Sequence, residues 1–173
     1  MIDILIVTDM QNDFIDEALG SKEAVAILPA VIEKVKTFNG KVIFTRDTHH
    51  ENYMDTQEGH NLPVPHCLDG SHGWEIHDSL KKYAGEIIDK PSFGSLELVR
   101  RLIALNDEEP ISSITVIGLC TDICVISNAM LAKNALPEVP VFVDAKCCAG
   151  VTPESHQRAL DAMKPCQIHI INE

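Results

Sequence analysis

Two thiols, Cys120 and Cys124, flank Thr121, Asp122 and Ile123 at the point where an apolar run stops, in the stretch GLCTDICV that begins at Gly118. That spacing by itself allows a nucleophile, half of a metal site, or two ordinary buried thiols. Three other reactive groups also follow short apolar runs: Asp9 after Val7-Thr8, Asp47 after Phe44-Thr45-Arg46, and Lys90 after Ile88-Asp89. A helix starting at Thr121 or Asp122, both good caps, would place Cys124 in its first turn, where free N–H groups and the positive end of the helix dipole favour a thiolate. Cys120, ahead of that turn, gains no such help. Lys90 would lower the Cys124 pKa further and Asp9 could carry the proton. A thiolate, a base and a cation are the parts of an acyl-transfer site.

For these groups to meet, the ends of several strands must come together. Apolar, β-branched runs predict strands near Ile2 to Thr8, Lys41 to Arg46, Glu86 to Asp89, Ser113 to Leu119, Pro140 to Asp144 and Gln167 to Ile171. Between them, Pro29 is expected to open a helix carrying Val31, Val35 and Phe38. Ser95 precedes Leu96, Val99 and Leu102 at helical spacing, and Thr152-Pro153-Glu154 reads as a cap, first-turn proline and first-turn acid. Strand-helix alternation predicts an α/β fold: a three-layer sandwich with a central, mostly parallel six-stranded sheet flanked by helices. In such a sheet all carboxyl ends lie on one edge and ligands bind there, so Asp9, Asp47, Lys90 and the cysteine turn should converge. The stretch from Thr48 to about Gly73, rich in His, Asn, Gly and Pro, has no periodicity and reads as a binding loop.

Composition agrees. The chain has 173 residues, 45% of them hydrophobic, which fits one domain spanning 1–173. A net charge of −12 with only 14 basic residues argues against nucleic acid or an anionic membrane as partner and leaves a small molecule or another subunit. Six cysteines, two of them adjacent at Cys147 and Cys148, form no secreted framework, so a reducing, cytoplasmic setting is expected. No run approaches the roughly 20 apolar residues of a membrane span.

The residues resemble those of the isochorismatase-like cysteine hydrolases, and within them the nicotinamidase branch. Asp9-Met10-Gln11-Asn12-Asp13-Phe14 is similar to the family's opening D-x-Q-x-D-F, Lys90-Pro91-Ser92-Phe93-Gly94-Ser95 to its lysine motif, and Gly118 to Cys124 to its nucleophile turn, in order over nearly the whole chain. The resemblance implies Cys124 as nucleophile, Asp9 as general base and then acid, and Lys90 as the cation holding both. It also implies a cis peptide before Cys120, with the backbone N–H groups of Cys120 and Cys124 serving an oxyanion, donors of the kind that contribute about 3 kcal/mol each.

Asp47-Thr48-His49 and Pro65-His66-Cys67 resemble the branch's metal-binding segments, which implies one divalent ion on Asp47, His49 and His66. Two imidazoles and a carboxylate suit zinc, iron or manganese. His50, His60, His72 and His77 lack that context, and Cys147 and Cys148 are expected only to pack at a turn after the fifth strand. Nicotinamidases often carry a stacking aromatic three positions before the loop histidine, and here that position is Pro63. Phe14 is then one wall of the substrate site, with Phe93, Tyr53 or Trp74 as the other. The expected reaction is hydrolysis of a small carboxamide, nicotinamide to nicotinate plus ammonia in the leading case, through a thioester on Cys124. Vinyl-ether hydrolysis of the isochorismatase type and a non-catalytic binding protein of the same fold are the alternatives. A homodimer or homotetramer is the assembly the resemblance suggests.

Overall fold

The structure, a computed structural model, describes residues 1–173. Six strands, β1 (Ile2–Thr8), β2 (Lys41–Asp47), β3 (Glu86–Lys90), β4 (Ile111–Leu119), β5 (Val141–Ala149) and β6 (His169–Ile171), form one sheet in the order β3-β2-β1-β4-β5-β6. Every neighbouring pair is parallel. The helices are α1 (Asn12–Ile15), α2 (Lys22–Thr37), α3 (Gln57–Asn61), α4 (Asp78–Lys81), α5 (Leu96–Glu108), α6 (Ile126–Ala135) and α7 (Pro153–Met163). Helix α2 packs on β4 and β5 from one side, while α6, in contact with both α5 and α7, packs with them on the other. Strands covered on both faces must be apolar throughout. Ile4, Leu5, Ile6 and Val7 of β1 are accordingly all fully buried, in a single core cluster that extends across the sheet.

The chain runs outward from β1 to β3, crosses back through α5, and runs outward again from β4 to β6. The order therefore reverses between β1 and β4, and the crevice beyond their carboxyl ends is where open α/β sheets bind ligands. Gly118 allows the two central strands to close up there: its φ is +114°, and a Cβ would lie 2.1 Å from the Thr8 carbonyl oxygen.

Several local expectations are corrected. Pro29 sits inside α2 rather than opening it. Ser21 caps that helix by accepting from the Ala24 N–H, and the 16-residue amphipathic helix tolerates the one backbone bond that proline removes. Strand β5 continues to Ala149, so Cys147 and Cys148 are buried strand residues, Cys148 in register with Gly118 of β4, not turn residues. Strands β2 and β3 each run one residue further than the sequence pattern suggests, making Asp47 and Lys90 their last paired residues. The segment from Thr48 to Gly73 is mostly irregular but holds α3 and a single 3-10 turn at Tyr53–Asp55. The caps at Ser95 and Thr152 form as expected, the latter as a reciprocal capping box with Ser155.

Candidate active site

Asp9 follows β1 directly, with φ +49°, a left-handed conformation that aspartate tolerates better than most residues. Its Oδ1 accepts from the Thr45 hydroxyl on β2 at 2.7 Å. Its Oδ2 lies 2.7 Å from Lys90 Nζ, at the end of β3. Lys90 also donates to the Ser92 carbonyl at 2.9 Å and stands 3.5 Å from both Asp47 Oδ1 and Cys124 Sγ. The side chains of Asp9 and Lys90 are fully buried. Four strand ends thus deliver a carboxylate, an ammonium, a thiol and a second carboxylate to one point, and local chain geometry alone could not do so.

Cys124 lies in a π-helical turn, Thr121–Val125, that leads into α6. Neither Thr121 nor Asp122 caps this turn. Thr121 Oγ1 pairs with His156 Nδ1 at 2.7 Å, and Asp122 accepts from the Val151 N–H at 3.1 Å, so both side chains tie the turn to the approach to α7. Asn128, fully buried one turn on, donates to the Cys124 and Phe93 carbonyls and accepts from the Ser95 N–H. The peptide between Leu119 and Cys120 is cis, as expected.

The thiol is not the pre-formed thiolate that the helix start suggests. Burial pushes the Cys124 pKa well above its ordinary value and the Asp9 charge adds to this; Lys90 opposes them without cancelling them. Burial likewise lifts Asp9 against the pull of Lys90. Burial alone would lower Lys90, but the charges of Asp9, Cys124 and Asp47 outweigh it and hold the ammonium protonated. One negative charge shared between Asp9 and Cys124 beside a fixed cation leaves the trio neutral, the least costly state for buried charges. Cys120, half-buried nearby, is pushed up to about 12 by burial and by the Asp122 and Asp9 carboxylates.

Beside this trio, Asp47, His49, His66 and Glu58 bring one ligand atom each within 4.8 Å of one another. His66 Nδ1–H donates to the Val64 carbonyl at 2.7 Å, which leaves Nε2 as the lone-pair nitrogen facing Asp47 Oδ2 at 3.6 Å. His49 Nε2 stands 2.8 Å from the same oxygen. Burial would raise the Asp47 pKa, but both histidines and Lys90 hold it far below the carboxylate range. Two imidazole nitrogens and two carboxylates, convergent and mostly buried, fit a borderline divalent ion. Glu58 was not foreseen. It lies on α3 in a loop without periodicity, and the sequence does not single it out from Glu51 and Asp55, which also fall between the two histidines.

Both groups open on a cavity of about 410 Å³ lined by Phe14, Leu62, Phe93, Cys120, Ile123 and Val151 among others. Phe14 and Phe93 face it as expected, whereas Leu62 rather than Pro63 occupies the wall. Tyr53 packs instead edge-on against His49 and His66, and Trp74 lies under the Arg46 guanidinium.

Comparison with known proteins places this geometry. The nicotinamidase of Schizosaccharomyces pombe is 25% identical over 98% of this chain and 92% of its own length. The structure of the pyrazinamidase of Pyrococcus horikoshii in complex with zinc superposes with a TM-score of 0.83 at 28% identity, covering 100% of both chains. That of PnC1 from L. infantum in complex with nicotinate gives a TM-score of 0.83 at 25% identity, covering 98% of this chain and 92% of that one. A family model for the isochorismatase domain matches residues 3–173, and the chain belongs to that family.

Proposed function

We propose that this protein is a cysteine-dependent amidohydrolase that converts a small ring-bearing carboxamide, nicotinamide in the leading case, to the carboxylate and ammonia. The observation that carries the proposal is Lys90 Nζ at 2.7 Å from Asp9 and 3.5 Å from Cys124 Sγ, at the edge of an apolar cavity that also receives Asp47 and His66. The resemblance to nicotinamidases and pyrazinamidases supports the substrate class.

Asp9 takes the thiol proton as Cys124 Sγ bonds to the carbonyl carbon, and burial, by lifting the Asp9 pKa, makes its carboxylate a stronger base for that proton. Charge develops on the carbonyl oxygen, for which the Cys120 and Cys124 N–H groups are the assigned donors; that of Cys120 is engaged by no backbone carbonyl. Asp9 then hands the proton to the leaving nitrogen, the C–N bond breaks, and ammonia departs from a thioester. A water deprotonated by Asp9 attacks the thioester, the C–S bond breaks, and the proton returns to sulfur. Lys90 keeps the carboxylate oriented through both halves. Phe14, Phe93 and Leu62 form the apolar walls of the ring site and exclude water.

A divalent ion held by Asp47, His49 and His66, with Glu58 as the fourth donor, would supply a Lewis-acid contact for a ring nitrogen. The test is ammonia release from a carboxamide panel that includes nicotinamide, pyrazinamide and benzamide. Turnover is expected to favour the first two, whose rings carry nitrogen. No release from any member overturns the assignment.

A further inference from the structure

The opening motif places Asp9, Gln11 and Asp13 two residues apart, yet only Asp9 reaches the thiol. Gln11 is fully buried, and each end of its amide is engaged. Its Nε2 donates to the Asp47 carbonyl and the Trp74 carbonyl, both at 2.8 Å, and its Oε1 accepts from the Asp47 N–H at 2.8 Å. One side chain therefore grips both backbone groups of the residue that supplies the central carboxylate of the donor cluster. Asp13 reaches further along the loop: its Oδ2 accepts from the Cys67 N–H at 2.7 Å. The Cys67 carbonyl accepts in turn from the His49 N–H at 2.9 Å. Cys67 directly follows His66, so a single residue, held by Asp13, joins the two histidine donors. Its φ of +47° is one a cysteine rarely adopts unaided, and a Cβ on Gly73 would lie 2.2 Å from the Asp13 carboxylate, so the loop backbone is pressed onto it.

We propose that Gln11 and Asp13 are positioning residues for a divalent metal, Gln11 by clamping Asp47 and Asp13 by holding the residue that couples His49 to His66. This rests on Asp47, His49 and His66 being the metal donors, as proposed above. The motif then divides its labour: Asp9 serves the thiol while Gln11 and Asp13 serve the metal.

The test is competition titration of zinc(II) and manganese(II) against a chromogenic chelator. It compares the wild type with His66→Ala, Gln11→Met, Asp13→Ala and Asp13→Asn. The rate of Cys124 alkylation by iodoacetamide in metal-stripped protein serves as a readout independent of the metal. Groups that orient ligands typically change metal affinity by about 10- to 100-fold, and Gln11→Met and Asp13→Ala should fall in that range. Asp13→Asn keeps an oxygen for the Cys67 N–H and should stay close to the wild type, and neither Gln11→Met nor either Asp13 variant should shift the alkylation rate. Wild-type affinity in Gln11→Met and Asp13→Ala, with His66→Ala still weakened, overturns the positioning role alone. Wild-type protein that binds no metal, or binds it equally well in His66→Ala, overturns the metal site and this proposal together. An alkylation rate that changes in parallel with affinity in Gln11→Met and Asp13→Ala points to general loosening and also overturns it. If Gln11→Met does not fold, the contrast between Asp13→Ala and Asp13→Asn decides.

Discussion

Replacing Lys90 by methionine preserves most of the side-chain volume but strips the cation from a fully buried ion pair. Asp9 keeps its Thr45 hydroxyl and the Cys124 thiol beside it, yet Oδ2 loses the ammonium that stands 2.7 Å away. Breaking such a pair from one side costs about 3–5 kcal/mol where the remaining charge stays ionised. The sign of the pH dependence follows from Asp9. Its folded pKa is already raised by burial, and without Lys90 it rises further. A carboxyl raised in the folded state destabilises the fold as pH climbs from the unfolded value of about 3.9 through the folded one, because the unfolded chain releases the proton first. The stability difference between Lys90→Met and the wild type should therefore be smallest at acid pH, where Asp9 is protonated in both, and grow as pH rises through the folded Asp9 pKa. Urea unfolding followed through Trp74, the single tryptophan, measures it. Adding Asp9→Asn should recover much of the loss, since asparagine tolerates φ +49° and carries no charge. A difference below about 1 kcal/mol at every pH, or one that does not vary with pH, would refute the buried-pair reasoning.

Further outcomes follow from the same geometry. Asp9→Asn should abolish turnover yet speed alkylation of Cys124 at neutral pH, because the Asp9 charge raises the thiol pKa; slower alkylation would contradict that direction. Cys120→Ala should keep near-wild-type ammonia release, since its backbone N–H rather than its sulfur is assigned a role. Elemental analysis of His66→Ala and Asp47→Ala, purified with zinc, iron and manganese supplied, should show loss of the bound ion, with Glu58→Gln retaining part of it. Leu62→Trp should narrow the cavity and raise KM for the carboxamide more than it lowers kcat; an unchanged KM would remove Leu62 from the ring site.

The convergence of Asp9, Asp47, Lys90 and the cysteine turn was legible because parallel strands deliver their ends to one edge, so a polar residue after each apolar run carries three-dimensional information. Strand signals and the caps at Ser95 and Thr152 were legible because they are local, whereas Thr121 and Asp122, equally good cap types, pair with His156 and Val151 instead. The ionisation of Cys124 was not legible: a helix start favours a thiolate, but burial beside a carboxylate outweighs it, and burial belongs to the whole fold. Glu58 and Leu62 escaped because their positions depend on how an aperiodic loop folds back, which no spacing encodes. Pro29 misled because its preference for a first turn is statistical, while the capping bond of Ser21 decides where α2 begins.

The most direct test of the proposed chemistry is ammonia release from nicotinamide by Cys124→Ala, in protein shown to be folded and loaded with metal to the wild-type level. Loss of a nucleophile of this kind costs several orders of magnitude, so turnover should fall by at least about 1,000-fold. Retention of a tenth or more of wild-type turnover would show that no covalent step on Cys124 is needed.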